Sequence, residues 1–151
     1  MSVFTVPKDK QEISVHFEQG VTSGGMIFLE RYPEERSIHS KLSAFLEEPT
    51  SFFPFLVTEK NTTELLNKKQ IRAIEIDYAD KYLEISFMHI EDMTVFFKDG
   101  SVISGTILTD APAALSRLSD CLNFPDKFIT VKTGDRLFYI NKEMILKVVS
   151  R

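Results

Sequence analysis

The residue types able to do chemistry are few in this chain, and they do not converge. His16, His39 and His89 are far apart, and only in His89-Ile90-Glu91-Asp92 does an imidazole sit beside carboxylates. Strand alternation points His89 and Glu91 to one face and Asp92 to the other, so the run makes a poor metal-ligand set. Cys121 is the sole cysteine. It can close no intramolecular disulfide, which fits a reducing cytoplasm. No Gly-x-Ser-x-Gly turn exposes a serine, and no G-x-x-x-x-G-K loop cradles a phosphate. Ser23-Gly24-Gly25 is flexible enough to approach an anion, and the acidic pairs Glu34-Glu35 and Glu47-Glu48 fit solvated loop and helix-end positions. These observations predict a chain that is not an enzyme and holds no cofactor or metal. A hydrolase using His89 or Cys121 is a distant third reading.

Two other residue sets carry binding chemistry. Lys68, Lys69 and Arg72 are the densest basic cluster, and Lys142, Lys147 and Arg151 form a second one near the end of the chain. Several cations close together neutralise phosphates, so these turns are the candidate nucleic-acid contacts; the competing reading is a solvated turn with edge-strand lysines. The second set is aromatic, since the chain has 13 Phe and no Trp. In Phe52-Phe53-Pro54-Phe55, a period of two sends Phe53 and Phe55 to one face and Phe52 to the other. A small core has room for one of those faces, so Phe52, Phe53 and Phe55 are the candidate interface residues.

The elements that position these residues are written twice. Shifted by 80, Val15, Phe17, Gly20, Gly25 and Ile27 meet Val95, Phe97, Gly100, Gly105 and Ile107. At a shift of 76, Ser40, Leu42, Ser43, Leu46, Pro49 and Phe52 meet Ser116, Leu118, Ser119, Leu122, Pro125 and Phe128. At 74, Asn67, Lys68 and Ile71 meet Asn141, Lys142 and Ile145. The shift changes within 30–36 and 58–63, polar stretches where loops accept insertions. Cys121 takes the place of Phe45 and so reads as a packed apolar residue, not a nucleophile. His16 takes the place of Phe96.

Each copy opens with a hairpin, signalled by Asp99-Gly100 in the second and Gln19-Gly20 in the first. Gly25 and Gly105 fall inside the following strand and predict a bend or close backbone approach. A helix follows, with Ile38, Leu42, Phe45 and Leu46 as its apolar stripe in the first copy. In the second, Asp110 is the expected cap, Ala111-Pro112 the first turn, and Leu115, Leu118 and Leu122 the stripe. Three short strands complete the unit, the last two separated by a 3₁₀-like turn at 67–69 or 141–143. The predicted order is β-β-α-β-β-β, with 1–80 as first copy, 81–151 as second, a joint at 77–81 and an extended segment over 82–90.

Val95-Phe96-Phe97-Lys98-Asp99-Gly100-Ser101-Val102-Ile103-Ser104-Gly105, with Phe138-Tyr139-Ile140-Asn141-Lys142-Glu143-Met144-Ile145, resembles the Sm-like small barrel, including the bacterial Sm-like RNA chaperones. The first copy's tail is a poorer match. The resemblance covers about 50 residues of each copy. Arg117-Leu118-Ser119-Asp120-Cys121-Leu122-Asn123 is also similar to a pattern in uncharacterised bacterial proteins. There are two departures from the Sm-like pattern. Sm-like barrels usually carry the helix before the first strand, and the bacterial chaperones have a Tyr-Lys-His run where this chain has Tyr139-Ile140-Asn141-Lys142. The resemblance implies strand-edge pairing into oligomers, and RNA as the alternative partner.

Composition agrees with a globular chain: 151 residues, 43% apolar, 26% charged, net charge −4. The mild acidity argues against nonspecific binding to nucleic acid or anionic lipid, and no apolar run reaches the roughly 20 residues of a membrane helix. Residues 1–80 hold 9 basic and 13 acidic side chains, so the acidity lies in the first copy. Copies of about 70 residues bury only about 60% of their unfolded surface alone, which predicts that they pack together as one compact unit. The fold expected is α+β, mainly β, as two Sm/SH3-like small-barrel units. The function expected is a noncatalytic, cytoplasmic assembly or protein-interaction module, homo-oligomeric or bound to another protein.

Overall fold

The computed structural model describes residues 8–31, 37–77, 88–109 and 117–151. In the first copy the elements are β1 (Lys8–His16), β2 (Thr22–Glu30), α1 (Ile38–Glu47), β3 (Phe52–Val57), β4 (Thr62–Asn67) and β5 (Ala73–Asp77). In the second they are β6 (Met88–Phe97), β7 (Val102–Thr109), α2 (Leu118–Asn123), β8 (Phe128–Thr133), β9 (Arg136–Asn141) and β10 (Ile145–Ser150). The order β-β-α-β-β-β therefore occurs twice. Single 3₁₀ turns at Lys68–Gln70 and Lys142–Met144 join the last two strands of each copy. Asp110, Ala111-Pro112 and Leu115, read as the start of the second helix, lie outside the described residues, as do 78–87 of the expected joint and extended segment.

The strand pairings obey the same shifts as the sequence. Ile13 opposes Gly25 as Met93 opposes Gly105. Ser14 opposes Glu75 as Thr94 opposes Val149, and Phe52 opposes Asn67 as Phe128 opposes Asn141. The glycine reading holds at both places: a Cβ on Gly25 would fall inside 3.0 Å of the Leu56 carbonyl oxygen, and one on Gly105 inside 3.0 Å of the equivalent Lys132 oxygen. Only glycine lets these backbones approach so closely.

Expected as two small barrels, the strands instead form one ten-stranded antiparallel sheet, ordered β10-β6-β7-β8-β9-β5-β1-β2-β3-β4 and not closed into a barrel. The physical reason is the use of β5. One side of it pairs with β1, and the other is taken by β9 of the second copy. The core follows this seam: Leu108, Phe128, Leu137 and Tyr139 of the second copy join the cluster around Ile13, Val15, Leu42 and Phe55, while Ala73 of the first copy joins that around Met93, Val95 and Phe97.

Candidate functional site

The most elaborate polar chemistry lies along the β5–β9 seam, where Ala73 to Asp77 oppose Ile140 to Arg136. On one face, Glu75 of β5 receives His16 Nε2 at 2.7 Å and Arg136 Nε from β9. Arg136 also pairs with Asp77. At the end of the seam Arg72 enters a socket on the second copy's first hairpin. Its guanidinium lies 5.0 Å from the Phe97 ring centre, donates to the Ser101 hydroxyl and stands 3.5 Å from Asp99. Asp99 also accepts the Gln19 amide at 2.7 Å, tying the two hairpin tips together. The Ser101 hydroxyl, followed by the Ser101 and Gln19 amides, holds the Asp99 carboxyl down to about 2, with Arg72 adding the smallest contribution. Asn141 completes the seam: its side-chain amide donates to the Ile71 carbonyl at 3.0 Å, and its backbone amide to Arg72.

The structure brings three of the six predicted cationic residues to one place. Lys68, Lys69 and Lys142 line a cleft of about 290 Å³ between the two 3₁₀ turns, together with Lys127, Glu48, Asp126 and Glu143. Two of the three have internal duties. Lys68 is buried, donates to the Phe45 carbonyl at 2.6 Å and lies over the Phe45 ring; burial lowers its pKa. Lys142 donates to the carbonyls of Cys121, at 3.3 Å, and Phe124, at 2.7 Å, and pairs with Asp126. Because Cys121 is the counterpart of Phe45, the same lysine closes the helix C-terminus in each copy, where a cation suits the exposed carbonyls. Lys69 is exposed. Arg72 is committed to the seam, and Lys147 lies on β10 with its ammonium 5.0 Å from the Phe96 ring centre.

Of the aromatic trio, Phe53 and Phe55 are buried in the first core while Phe52 points outward, as the period of two requires. His39 is buried on α1 and bonds the Tyr139 hydroxyl across the seam at 2.8 Å. Cys121 is buried, and burial raises its thiol pKa, the opposite of what activates a nucleophile. The His89 side chain lies outside the described residues. Among the described residues no group of three His, Cys, Asp or Glu side chains could hold a metal ion, and no helix is long and apolar enough to cross a membrane.

Sequence reasoning did not single out Arg72 with Asp99, or Glu75 with Arg136, as seam pairs. Asp99 was legible only as a turn residue, since Gln19 and Arg72 reach it from distant parts of the chain. No family model, curated protein or solved structure matches the chain.

Proposed function

We propose that the chain is a noncatalytic assembly module made of two Sm-like units left open, whose sheet edges receive further strands. One observation carries this reading. Each copy has one strand that pairs outward at either end, and inside the chain these are β5 of the first copy and β9 of the second. Among the described residues their counterparts, β10 and β4, end the sheet with one side of each unpaired. An unpaired edge offers a row of backbone donors and acceptors to another chain, and proteins that avoid such pairing commonly blunt it with charge or proline. Here each edge carries one charge, Glu64 on β4 and Lys147 on β10, beside Leu65, Leu146 and Val149, all well exposed. Light scattering over a concentration series tests the reading: masses at multiples of 17.3 kDa are expected, and a strict monomer throughout refutes it.

A second reading, single-stranded RNA as ligand, is favoured by one observation, the convergence of both basic turns on a single cleft. It is the weaker of the two. Lys68 and Lys142 are held by helix carbonyls, and three carboxylates share the cleft rim.

A further inference from the structure

We infer that copies of this chain join head to tail, β10 of one against β4 of the next, and that an apolar socket for Leu146 selects this seam over the one inside the chain. This rests on the assembly reading and names its partner, a second copy. The template is the internal seam. Carried through the repeat, the opposition of Ile74 to Tyr139 and of Glu75 to Phe138 places Val148 against the neighbour's Leu65 and Val149 against its Glu64. The bond from the Asn141 amide to the Arg72 carbonyl becomes one from the Asn67 amide to the neighbour's Leu146 carbonyl.

Among the described residues seven large apolar side chains are well exposed, and five of them occupy the counterparts of seam positions. Leu65, 67% exposed, is the counterpart of Tyr139, which is 1% exposed, and Phe52, 59% exposed, is that of Phe128, at 7%. Leu146 and Val149 replace Arg72 and Glu75, and Val21 replaces Ser101. The side chains that make the internal seam have thus changed together. Arg72 inside the chain meets Phe97, Asp99 and Ser101; the counterpart Leu146 would meet Phe17, Gln19 and Val21, a socket with no charge. The second polar node changes in the same sense, since His16, Glu75 and Arg136 become Phe96, Val149 and Thr62.

Each lock accepts its own key. Arg72 against Phe17, Gln19 and Val21 would be desolvated without a counter-charge, and Leu146 in the Asp99 socket would leave the Ser101 hydroxyl and the Asp99 carboxylate without their cation. The match separates the seam within a chain from the seam between chains. A head-to-tail interface of this kind closes into a ring or runs on as a filament according to its rotation. The Leu146 socket carries no ion pair and gains nothing from low salt, while Glu64 of one copy lies diagonal to Lys147 and Arg151 of the next.

The test is a key-and-lock exchange read by light scattering. Wild type should be multimeric. Leu146→Arg, at an exposed position that should leave the circular dichroism spectrum unchanged, should weaken association at least tenfold. Adding Gln19→Asp and Val21→Ser to it should restore the multimer by rebuilding the inner socket at the outer seam. A multimeric wild type whose mass ignores Leu146→Arg, or a triple variant that stays dissociated, overturns the socket assignment and leaves the assembly reading standing. A monomeric wild type overturns both. As an independent check on register, Glu64→Cys with Val149→Cys should oxidise to covalent multimers, because directly opposed strand residues lie within disulfide reach. Thr58→Cys with Val149→Cys should not, and failure of the first pair to cross-link in a multimeric protein also overturns the register.

Discussion

Replacing Gly25 or Gly105 by alanine tests the close approach on which both copies depend. At Gly25 the new methyl would lie inside 3.0 Å of the Leu56 carbonyl oxygen and 2.7 Å from the tip of the Phe55 ring. At Gly105 it would meet the Lys132 carbonyl oxygen, Thr133 Oγ1 at 2.6 Å and Val131 Cγ1 at 2.9 Å. Real Cβ atoms almost never come this near. The obstacle in each case includes backbone, so relief requires parting β2 from β3, or β7 from β8, where the first pair shares only the Gly25–Val57 and Met26–Leu56 positions. Overpacking of this kind costs about 3 kcal/mol, the upper end of its usual range. For a chain of this length that is a fall of roughly 10 °C in melting temperature. Gly24 is the control: a Cβ there meets nothing within 4 Å and its φ is not positive. Gly24→Ala should be neutral or stabilise by about 0.5 kcal/mol through the unfolded chain. Urea titrations at matched protein concentration read all three. If Gly105→Ala unfolds at the wild-type midpoint, the second copy does not bend where the first does, and equivalence of the two copies fails with it.

Two further outcomes separate structural lysines from ligand-binding ones. Lys68→Ala and Lys142→Ala should each destabilise the fold by about 2 kcal/mol, since each strands helix-end carbonyls that accept from an ammonium, whereas exposed Lys69→Ala should lie within about 0.5 kcal/mol of wild type; equal midpoints for all three would remove the helix-closing role. With no Trp and four Tyr the protein absorbs weakly at 280 nm, so copurified RNA would dominate the spectrum. On the assembly reading the low-salt preparation has a protein spectrum, and a 260 nm maximum abolished by nuclease would shift the balance to the nucleic-acid reading.

The elements were legible where chemistry is local. Asp99-Gly100 announces a hairpin because glycine accepts the positive φ of 91° found there, and Asn67 and Asn141 announce a 3₁₀ turn because their side chains cap it, accepting from Lys69 and Glu143. Alternation sorted Phe52 from Phe53 and Phe55. The continuous sheet was not legible, because local pattern does not say which strand receives the free side of β5. Barrel closure and pairing with β9 demand the same alternating apolar strand from Ala73 to Ile76. The structural share of the basic clusters was hidden for a related reason. Lys68 and Lys142 look like solvent-facing cations until the helix end that each one closes is in place, and the carbonyls of Phe45 and Cys121 that accept from them lie 23 and 21 residues earlier in the chain.

Asp99 shows what distinguishes the inner seam energetically. Its carboxylate accepts from the Ser101 hydroxyl at 2.6 Å, the Ser101 amide at 3.0 Å and the Gln19 amide at 2.7 Å, beside Arg72. Every one of these partners favours the charged form, so the folded pKa falls from 3.8 to about 2. A depressed carboxyl contributes stability that is fully present above its unfolded pKa and is lost as pH falls through the folded one. The window here runs from about pH 4 down to about pH 2. A shift of this size converts to at most about 2.5 kcal/mol, and screening at a hairpin tip reduces it to about 1–2 kcal/mol. Asp99→Asn keeps the shape and removes the charge, so it should lose about that much at pH 7 and at pH 5, and the gap from wild type should close by pH 2. A gap that stays constant down to pH 2 would mean that the charge is not what holds the hairpin tips together. The counterpart residue Gln19 has no charge to lose, so on the same reasoning the seam between chains should persist through the acid window in which the seam within the chain weakens.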